Sequence, residues 1–548
     1  MTTQQAARFP LTTTVDFVIV GSGAAGGIMA KELATRGHSV VVLEQGPRIH
    51  PSQFHHDEYA YFFKNEIATK QPITWRQKPT EEAKKGGFLW YAQMVGGSSV
   101  HFTANFWRFR PVDFNERSRL GAIPGASLVD WPITYEELEP YYTKVDWEIG
   151  VSGAPGPSDP PRSRPYPVPP LPVKSSGVLF ERGARKLGFH PYPAPMAILS
   201  QPHNGRAGCQ NCGYCQGFGC EYGAKSSTLA SVIPIAERTG RCEVRPRAYV
   251  RKVELDARGR ATGVVYFDEN KQEQFQRAKA VILCANGAET PRLLLMSKSN
   301  RFPDGLANSS GMVGKHLMFN GGSLAPGLYE HPLNEYKGAQ VTRIAHDWYD
   351  SDPKRGFYGG GGIDARGDIN LPIFYALNGN KPGVRNWGAE HKRFLEHNFS
   401  RQMVIFGHTT SLPVETNSVS LDPKLKDDWG LPAIRFTYRD HDDDLKMMKY
   451  LQDRAMEIHE AAGAVQSWRS PVEVQTGTAH LLGTCRMGND PKTSVIDKHH
   501  RTHDVKNLFL CDGSSLVTSG RGQPTMTIMA LAFRAGERIA NFAKRNEI

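Results

Sequence analysis

No stretch of the 548 residues approaches the eighteen or so consecutive apolar positions that a membrane-spanning helix needs, so no span is expected. Residues 1–14 hold one Arg among many Thr and Gln, without the basic start and apolar run of a signal peptide. The expectation is a cytoplasmic chain, or a periplasmic one co-exported by a partner subunit that carries the signal. Eight cysteines in this length are too sparse for a disulfide scaffold. No run of five like charges occurs, and no zinc-finger, zipper or RNP pattern is present, which argues against nucleic acid. The excess of 66 Lys and Arg over 55 Asp and Glu, a net +11, is spread along the chain and reads as solvated surface. The 54 Gly and 37 Pro follow no period, which excludes collagen, coiled coil and low-complexity architectures.

What is present is a globular composition, 39% hydrophobic and 22% charged, on a chain long enough for two or more lobes. Val15 to Val20 reads as a buried strand, the next turn opens a helix to about Arg36, and Ser39 to Leu43 reads as a second strand. Together they predict one βαβ unit. A Pro-rich stretch from Pro155 to Pro172 predicts an extended connection. Residues 242–284 read as strands separated by polar turns, ending in Ala280 to Cys284. From about 319 to 475, Gly-rich loops give way to strands around Met403 to Leu412 and Ala433 to Tyr438. A helix with an acidic first turn follows, from about Asp440 to Ala462. The fold class expected is α/β, or α+β overall, with the 319–475 region inserted as a sheet-plus-helix lobe.

Within the βαβ unit, Gly21-Ser-Gly23-Ala-Ala-Gly26 divides the work among its glycines. Gly21 permits the tight turn, Gly23 lets a pyrophosphate approach the backbone, and Gly26 lets helix and strand pack closely. The helix N-terminus adds a favourable field for phosphate. Glu44, at the end of the second strand, suits ribose hydroxyls and would repel a 2′-phosphate, which disfavours NADP. The fingerprint alone does not separate FAD from NAD.

Further segments do. Met94-Val-Gly96-Gly97-Ser98-Ser99 followed by Arg110-Pro-Val-Asp113-Phe114 resembles the first signature of the glucose-methanol-choline (GMC) flavoprotein oxidoreductases. Asp130-Trp131-Pro132, Gly287-Ala-Glu-Thr290-Pro291, Gly311-Met-Val-Gly314, Asn417-Ser-Val-Ser-Leu-Asp422, His480-Leu-Leu-Gly483, Cys511-Asp512-Gly513-Ser514 and Pro524-Thr525-Met-Thr527 resemble the rest, in the same order. The resemblance implies tightly held FAD in a Rossmann-like lobe made of 12–50, 90–110, 200–318 and 476–548. It implies an antiparallel-sheet-plus-helix substrate lobe made of 51–89, 111–199 and 319–475. Backbone amides of Gly96 to Ser99 and of Asp512-Gly513, with Pro524 and Thr525, would then meet pyrophosphate and flavin, and Val250 would touch adenine. His101 stands four positions after Gly97, where some family members carry a covalent flavin bond and others a histidine without one.

The resemblance also implies an alcohol oxidation in which flavin takes hydride and a protein base takes the hydroxyl proton. His480 falls on the family's catalytic position, and an imidazole is suited to that proton. The second position, usually His or Asn, falls on Gln523, which cannot titrate but offers a carbonyl acceptor and an amide donor. Cys209-x2-Cys212-x2-Cys215-x4-Cys220 has the short steps of an iron-sulfur cluster (3Fe-4S or 4Fe-4S) or of tetrahedral zinc. The resemblance favours iron and an electron exit to a cytochrome c, beside a small chaperone-like subunit. The implied enzyme is a dehydrogenase of a sugar, sugar acid or glycoside hydroxyl. An oxidase using O2, or a lyase that only holds FAD, stands as the alternative.

Overall fold

The computed structural model describes residues 8–367, 371–379 and 381–548. Val15–Val20 and Val40–Leu43 are apolar almost without interruption, the pattern of strands covered on both faces, and they pair in parallel at the centre of a seven-stranded sheet. Cys242–Arg245 extends this sheet beyond Val40–Leu43 in the same direction. On the other side lies Glu273–Leu283, whose burial pattern changes along its length. Its first half pairs antiparallel with Ala261–Phe267, while its second half, continuously buried over Ala280–Leu283, runs parallel to Val15–Val20 and to Leu508–Leu510. One strand thus serves both a solvated hairpin and a covered core.

The helix Ala24–Thr35 packs against this sheet, with the C-terminal helix Thr525–Lys544 against the helix and Tyr135–Val145 against that in turn. Met29, Leu33, Met529, Phe533 and Leu138 all belong to the same core.

A second sheet is antiparallel throughout, in the order Gln466–Ser467, Gly322–Leu328, Gln402–Thr409, Gly361–Arg366, Val341–Ala345, Tyr192–Pro193. Alternation gives it two unlike faces. Ala325, Ile363, Ala365, Met403 and Ile405 pack on Phe180 and Ala184 of the helix Ser175–Lys186 and on Met447, Leu451 and Ile458 of the helix Asp442–Ala462. The opposite face carries Asp364, Arg366, Phe406 and His408, and His408 lies beside Gln523, just before the C-terminal helix.

Asp442–Ala462 begins with three aspartates at its positive end, Asp444 accepting from the His441 amide at 3.1 Å, and stops at Gly463 in the left-handed region (φ 89). A smaller sheet joins Ile73–Arg76 to Pro432–Thr437 in parallel. Pro155 to Pro172 forms no helix or named strand, as its proline content predicts. Among the described residues no helix is long and apolar enough to cross a membrane.

Candidate functional site

One cavity joins the first βαβ turn to His480 and the start of the C-terminal helix. Its far end is walled by Gly21, Gly23, Glu44 and Val250, its middle by Gly97, Ser98, Ser99 and His101, and its near end by His480, Asp512, Gly513, Gln523, Pro524 and Thr525. Residues more than 500 positions apart in sequence therefore line one cavity.

The far end is built by close backbone approach. Gly21 adopts φ +94, and a Cβ there would lie 2.5 Å from the Cys284 carbonyl oxygen. Gly26 does not line the cavity. It lets the helix start sit on the turn, since a Cβ there would fall 1.9 Å from the Gly21 oxygen. A Cβ on Gly97 would fall 2.7 Å from Gly23 Cα, so the two glycine turns touch.

Ser22 couples these turns. Its Oγ donates to Glu44 Oε2 at 2.7 Å and accepts from the Gly96 amide at 3.0 Å. Gly97 N–H donates to Met94 O at 2.8 Å. The Gly96 and Gly97 amides are thus engaged within the protein, and Gly96 lies behind the cavity wall rather than on it. Glu44 also accepts from the Ser22 and Gly46 amides at 3.1 and 3.0 Å, yet burial holds its carboxyl above the ordinary value.

Asp512 is tied down by Thr290 Oγ1 (2.6 Å), the Asn286 amide (3.1 Å) and the Ser514 amide (2.8 Å). Its Gly513 neighbour rests on Leu481, where a Cβ would meet the carbonyl oxygen at 2.4 Å. This packing holds the Asp512-Gly513 turn against the residue after His480. Thr525 opens a twenty-residue helix, so the positive end of its dipole faces the cavity.

His480 is partly exposed to the cavity and its own amide is held by Thr478 Oγ1 at 2.9 Å. Burial, and then the nearby His408, push its imidazole down to about 4, which keeps it neutral and able to accept a proton at pH 7. Gln523 lines the same end, and its Nε2 lies 3.3 Å from His408 Nδ1.

His101 is 3% exposed, and among the described residues neither ring nitrogen has a hydrogen-bond partner. Burial, and then Lys225, push it down to about 3. A buried, unsatisfied, neutral imidazole on a cavity wall needs a partner from the cavity. With the glycine approach at the far end, it makes these residues a fitting cradle for FAD.

Behind His101 lies the cysteine loop. Gly217 N–H donates to His101 O at 2.8 Å, and Gln216 and Gly217 line the cavity. Buried Lys225 clamps the loop, donating to the carbonyls of Cys215 and Phe218 at 2.6 Å each and of Phe102 at 3.0 Å. Cys215 is buried and Cys209, Cys212 and Cys220 are half-buried. Burial, with the neighbouring thiols adding to it, raises Cys209, Cys212 and Cys215 above the ordinary thiol value. Among the described residues no three Cys, His, Asp or Glu side chains are gathered closely enough to hold a metal ion. The loop brings the thiols together without closing them into a ligand set.

Sequence motifs did not signal the polar face of the second sheet. His408, Asp364 and Arg366 come from two adjacent strands and meet Gln523 only in three dimensions. The one signal available was a histidine following the apolar run Met403–Phe406 in the strand Gln402–Thr409.

Two GMC oxidoreductase family profiles, N-terminal and C-terminal, match residues 15–319 and 413–532. The chain is 37% identical over 536 residues to 2-methyl-1,2-propanediol dehydrogenase of Mycolicibacterium austroafricanum, covering 96% of this chain and 95% of that one. It is 31% identical over 569 residues to the fructose dehydrogenase large subunit of Gluconobacter japonicus, covering 97% and 99%. Its fold superposes, with a TM-score of 0.66 and 14% identity, on a formate oxidase variant of Aspergillus oryzae RIB40 made to examine FAD modification, covering 98% and 100%.

Proposed function

The chain belongs to the GMC oxidoreductase family, FAD enzymes acting on CH–OH groups, and from that premise we propose a dehydrogenase that oxidises a hydroxyl of a sugar, sugar acid, glycoside or related polyol. The observation that carries this reading is the convergence of neutral His480 and Gln523 at one end of a cavity whose other end is the Gly21/Gly23 turn with Glu44. Bound there, FAD supplies the two-electron acceptor for the carbinol hydride. Gly21, Gly23, Glu44, Gly97, Ser98, Ser99, Val250, Asp512, Gly513, Pro524 and Thr525 would hold it, with Gly26 and Gly96 shaping the turns from behind. His480 accepts the hydroxyl proton, and Gln523 orients the substrate.

His101 is assigned the covalent attachment of the flavin, on the support of its two unsatisfied ring nitrogens. Acid precipitation of the purified protein is expected to leave the yellow colour in the pellet, and free flavin in the supernatant refutes the bond.

An iron-sulfur group on Cys209, Cys212, Cys215 and Cys220, passing electrons to a cytochrome c, is supported by the thiol content of the loop, its contact with the cavity wall and the likeness to a large subunit. Among the described residues no ligand set is closed. Iron with acid-labile sulfide in anaerobically purified protein supports the assignment, and zinc or free thiols remove it.

The dehydrogenase reading is tested by turnover on a panel of sugars, sugar acids, glycosides and diols. Reduction of an artificial electron acceptor without peroxide under air is expected. Stoichiometric peroxide without the acceptor would mark an oxidase instead.

A further inference from the structure

The second family position is a glutamine, whose amide can present either a carbonyl or an NH2 group to the substrate. We infer that the buried Asp364–His408 pair locks this amide with its carbonyl facing the cavity, and so selects substrates bearing a second hydroxyl next to the carbinol.

The pair is built into the sheet. His408 stands opposite Gly362, and Asp364 is two residues further along the same strand, so the two side chains share one face and meet diagonally. Asp364 is 0% and His408 3% exposed, and Asp364 Oδ2 lies 2.5 Å from His408 Nε2. Arg366 Nε and Nη2 donate to the two Asp364 oxygens at 2.8 and 2.6 Å. Burial raises the Asp364 carboxyl, but Arg366 and His408 outweigh this and hold it below the ordinary value. An ionised carboxylate only accepts, so the hydrogen between Asp364 and His408 sits on Nε2.

The tautomer then propagates. A neutral imidazole with hydrogen on Nε2 has a bare Nδ1, which only accepts. Gln523 Nε2, 3.3 Å away, therefore donates to it, and Gln523 Oε1 is left on the cavity side with His480. The surroundings of His408 keep it neutral. Arg366 Nη2 lies 3.3 Å from its Nε2, His480 is close enough for the two rings to repel when charged, and Trp107 and Phe406 flank it with rings. Burial lowers its affinity for a second proton, although Asp364 opposes this. The turn before Gln523 is laid on the ring as well, since a Cβ on Gly522 would fall 2.5 Å from His408 Cβ.

A hydroxyl carries one hydrogen. In the mechanism proposed above, on which this inference rests, His480 takes the hydrogen of the reacting hydroxyl. Gln523 Oε1 is then left to accept from another donor, and a hydroxyl on the adjacent carbon supplies one. A site that hydrogen-bonds a hydroxyl discriminates against the analogue lacking it, because its own acceptor is then unpaired.

The test compares kcat/KM for propylene glycol and n-propanol in the holoenzyme, in Asp364→Asn, in Gln523→Ala and in the double variant. A second, turnover-free readout is the 15N spectrum of His408. The expected wild-type result is a preference for the diol and a protonated Nε2 with bare Nδ1. In Asp364→Asn the new side-chain amide donates to His408 Nε2, moves the hydrogen to Nδ1 and turns the Gln523 amide around, so the diol preference falls about tenfold. Gln523→Ala loses the preference to a similar degree, and Asp364→Asn adds nothing further in that background. If Asp364→Asn does not fold, the Gln523→Ala ratio and the wild-type spectrum decide. A preference unchanged in Gln523→Ala, additive losses in the double variant, or a wild-type Nδ1–H tautomer overturns the inference. Because the spectrum needs no substrate, a protein with the expected tautomer that oxidises no alcohol refutes the proposed function instead.

Discussion

Replacing His480 with alanine leaves the flavin bound and slows its anaerobic reduction by substrate by roughly 10² to 10⁴-fold, the contribution of one well-placed base. Flavin retention is expected because the cradle is made elsewhere, by the two glycine turns and the Asp512-Gly513 turn. The same imidazole fixes the acid limb of the pH profile. Activity requires neutral His480, so a base lowered to about 4 is wholly in its proton-accepting form at neutral pH and is lost only as pH falls through that value. An unshifted imidazole would fail near pH 6.5. Reduction kinetics of the wild type and of His480→Ala across pH, read from the flavin absorbance, check both statements. Unchanged kinetics in the variant remove His480 from the chemistry.

The second large effect is on stability. Arg521→Ala is expected to destabilise the protein by about 3–5 kcal/mol, measured as a loss of melting temperature and of folded, yellow protein. Arg521 is 1% exposed. Its Nη1 donates to Asp113 Oδ1 at 2.6 Å, its Nη2 pairs with Glu116, and its Nε donates to Tyr349 O at 3.0 Å. Removing the guanidinium strands two carboxylates away from water, while Tyr349 and Tyr358 still bond them. Arg521→Lys rescues only in part, because a point charge cannot serve three partners arranged around a planar fork. Arg521 is two residues before Gln523, so this network also anchors the turn that delivers the amide to the cavity. A variant as stable as the wild type would show that the network contributes nothing net to folding.

These partners bear on what the sequence displayed. Asp113 belongs to the Arg110-Pro-Val-Asp113-Phe114 segment that carried part of the family resemblance, and the structure gives that segment its physical task. Asp113 accepts from the Arg110 amide at 2.7 Å as it receives Arg521, so one short turn fastens the 110–114 segment to the turn that precedes the C-terminal helix.

Features written in local spacing were legible. The βαβ unit falls at Val15–Val20, Ala24–Thr35 and Val40–Leu43, and the acidic start of the long helix falls at Asp442. Both depend on periodicity and end signals within a few turns. The switch of Glu273–Leu283 from hairpin to core strand, and the helix Ser175–Lys186 after the Pro-rich connection, depend on distant partners and were not legible.

The same division runs through the site. The glycine turns and His480 belong to motifs, and the cavity gathers them. His408, Asp364 and Gln523 are linked by hydrogen bonds across 44 and 115 positions, and their relation exists only once the antiparallel sheet is registered. Gly96 shows the reverse. Its motif suggested a contact with the cofactor, and the structure adds a role the motif did not show: its amide donates to Ser22 Oγ and joins the two turns.

The proposed chemistry requires FAD held in this cavity beside His480, where it takes a hydride from a carbinol. Anaerobic mixing of the purified yellow protein with excess sugars, sugar acids, glycosides and diols tests it most directly. At least one of them is expected to bleach the flavin, at a rate that collapses in His480→Ala. A protein that purifies colourless and takes up no FAD, or a flavin that stays oxidised with every member of the panel, would contradict it.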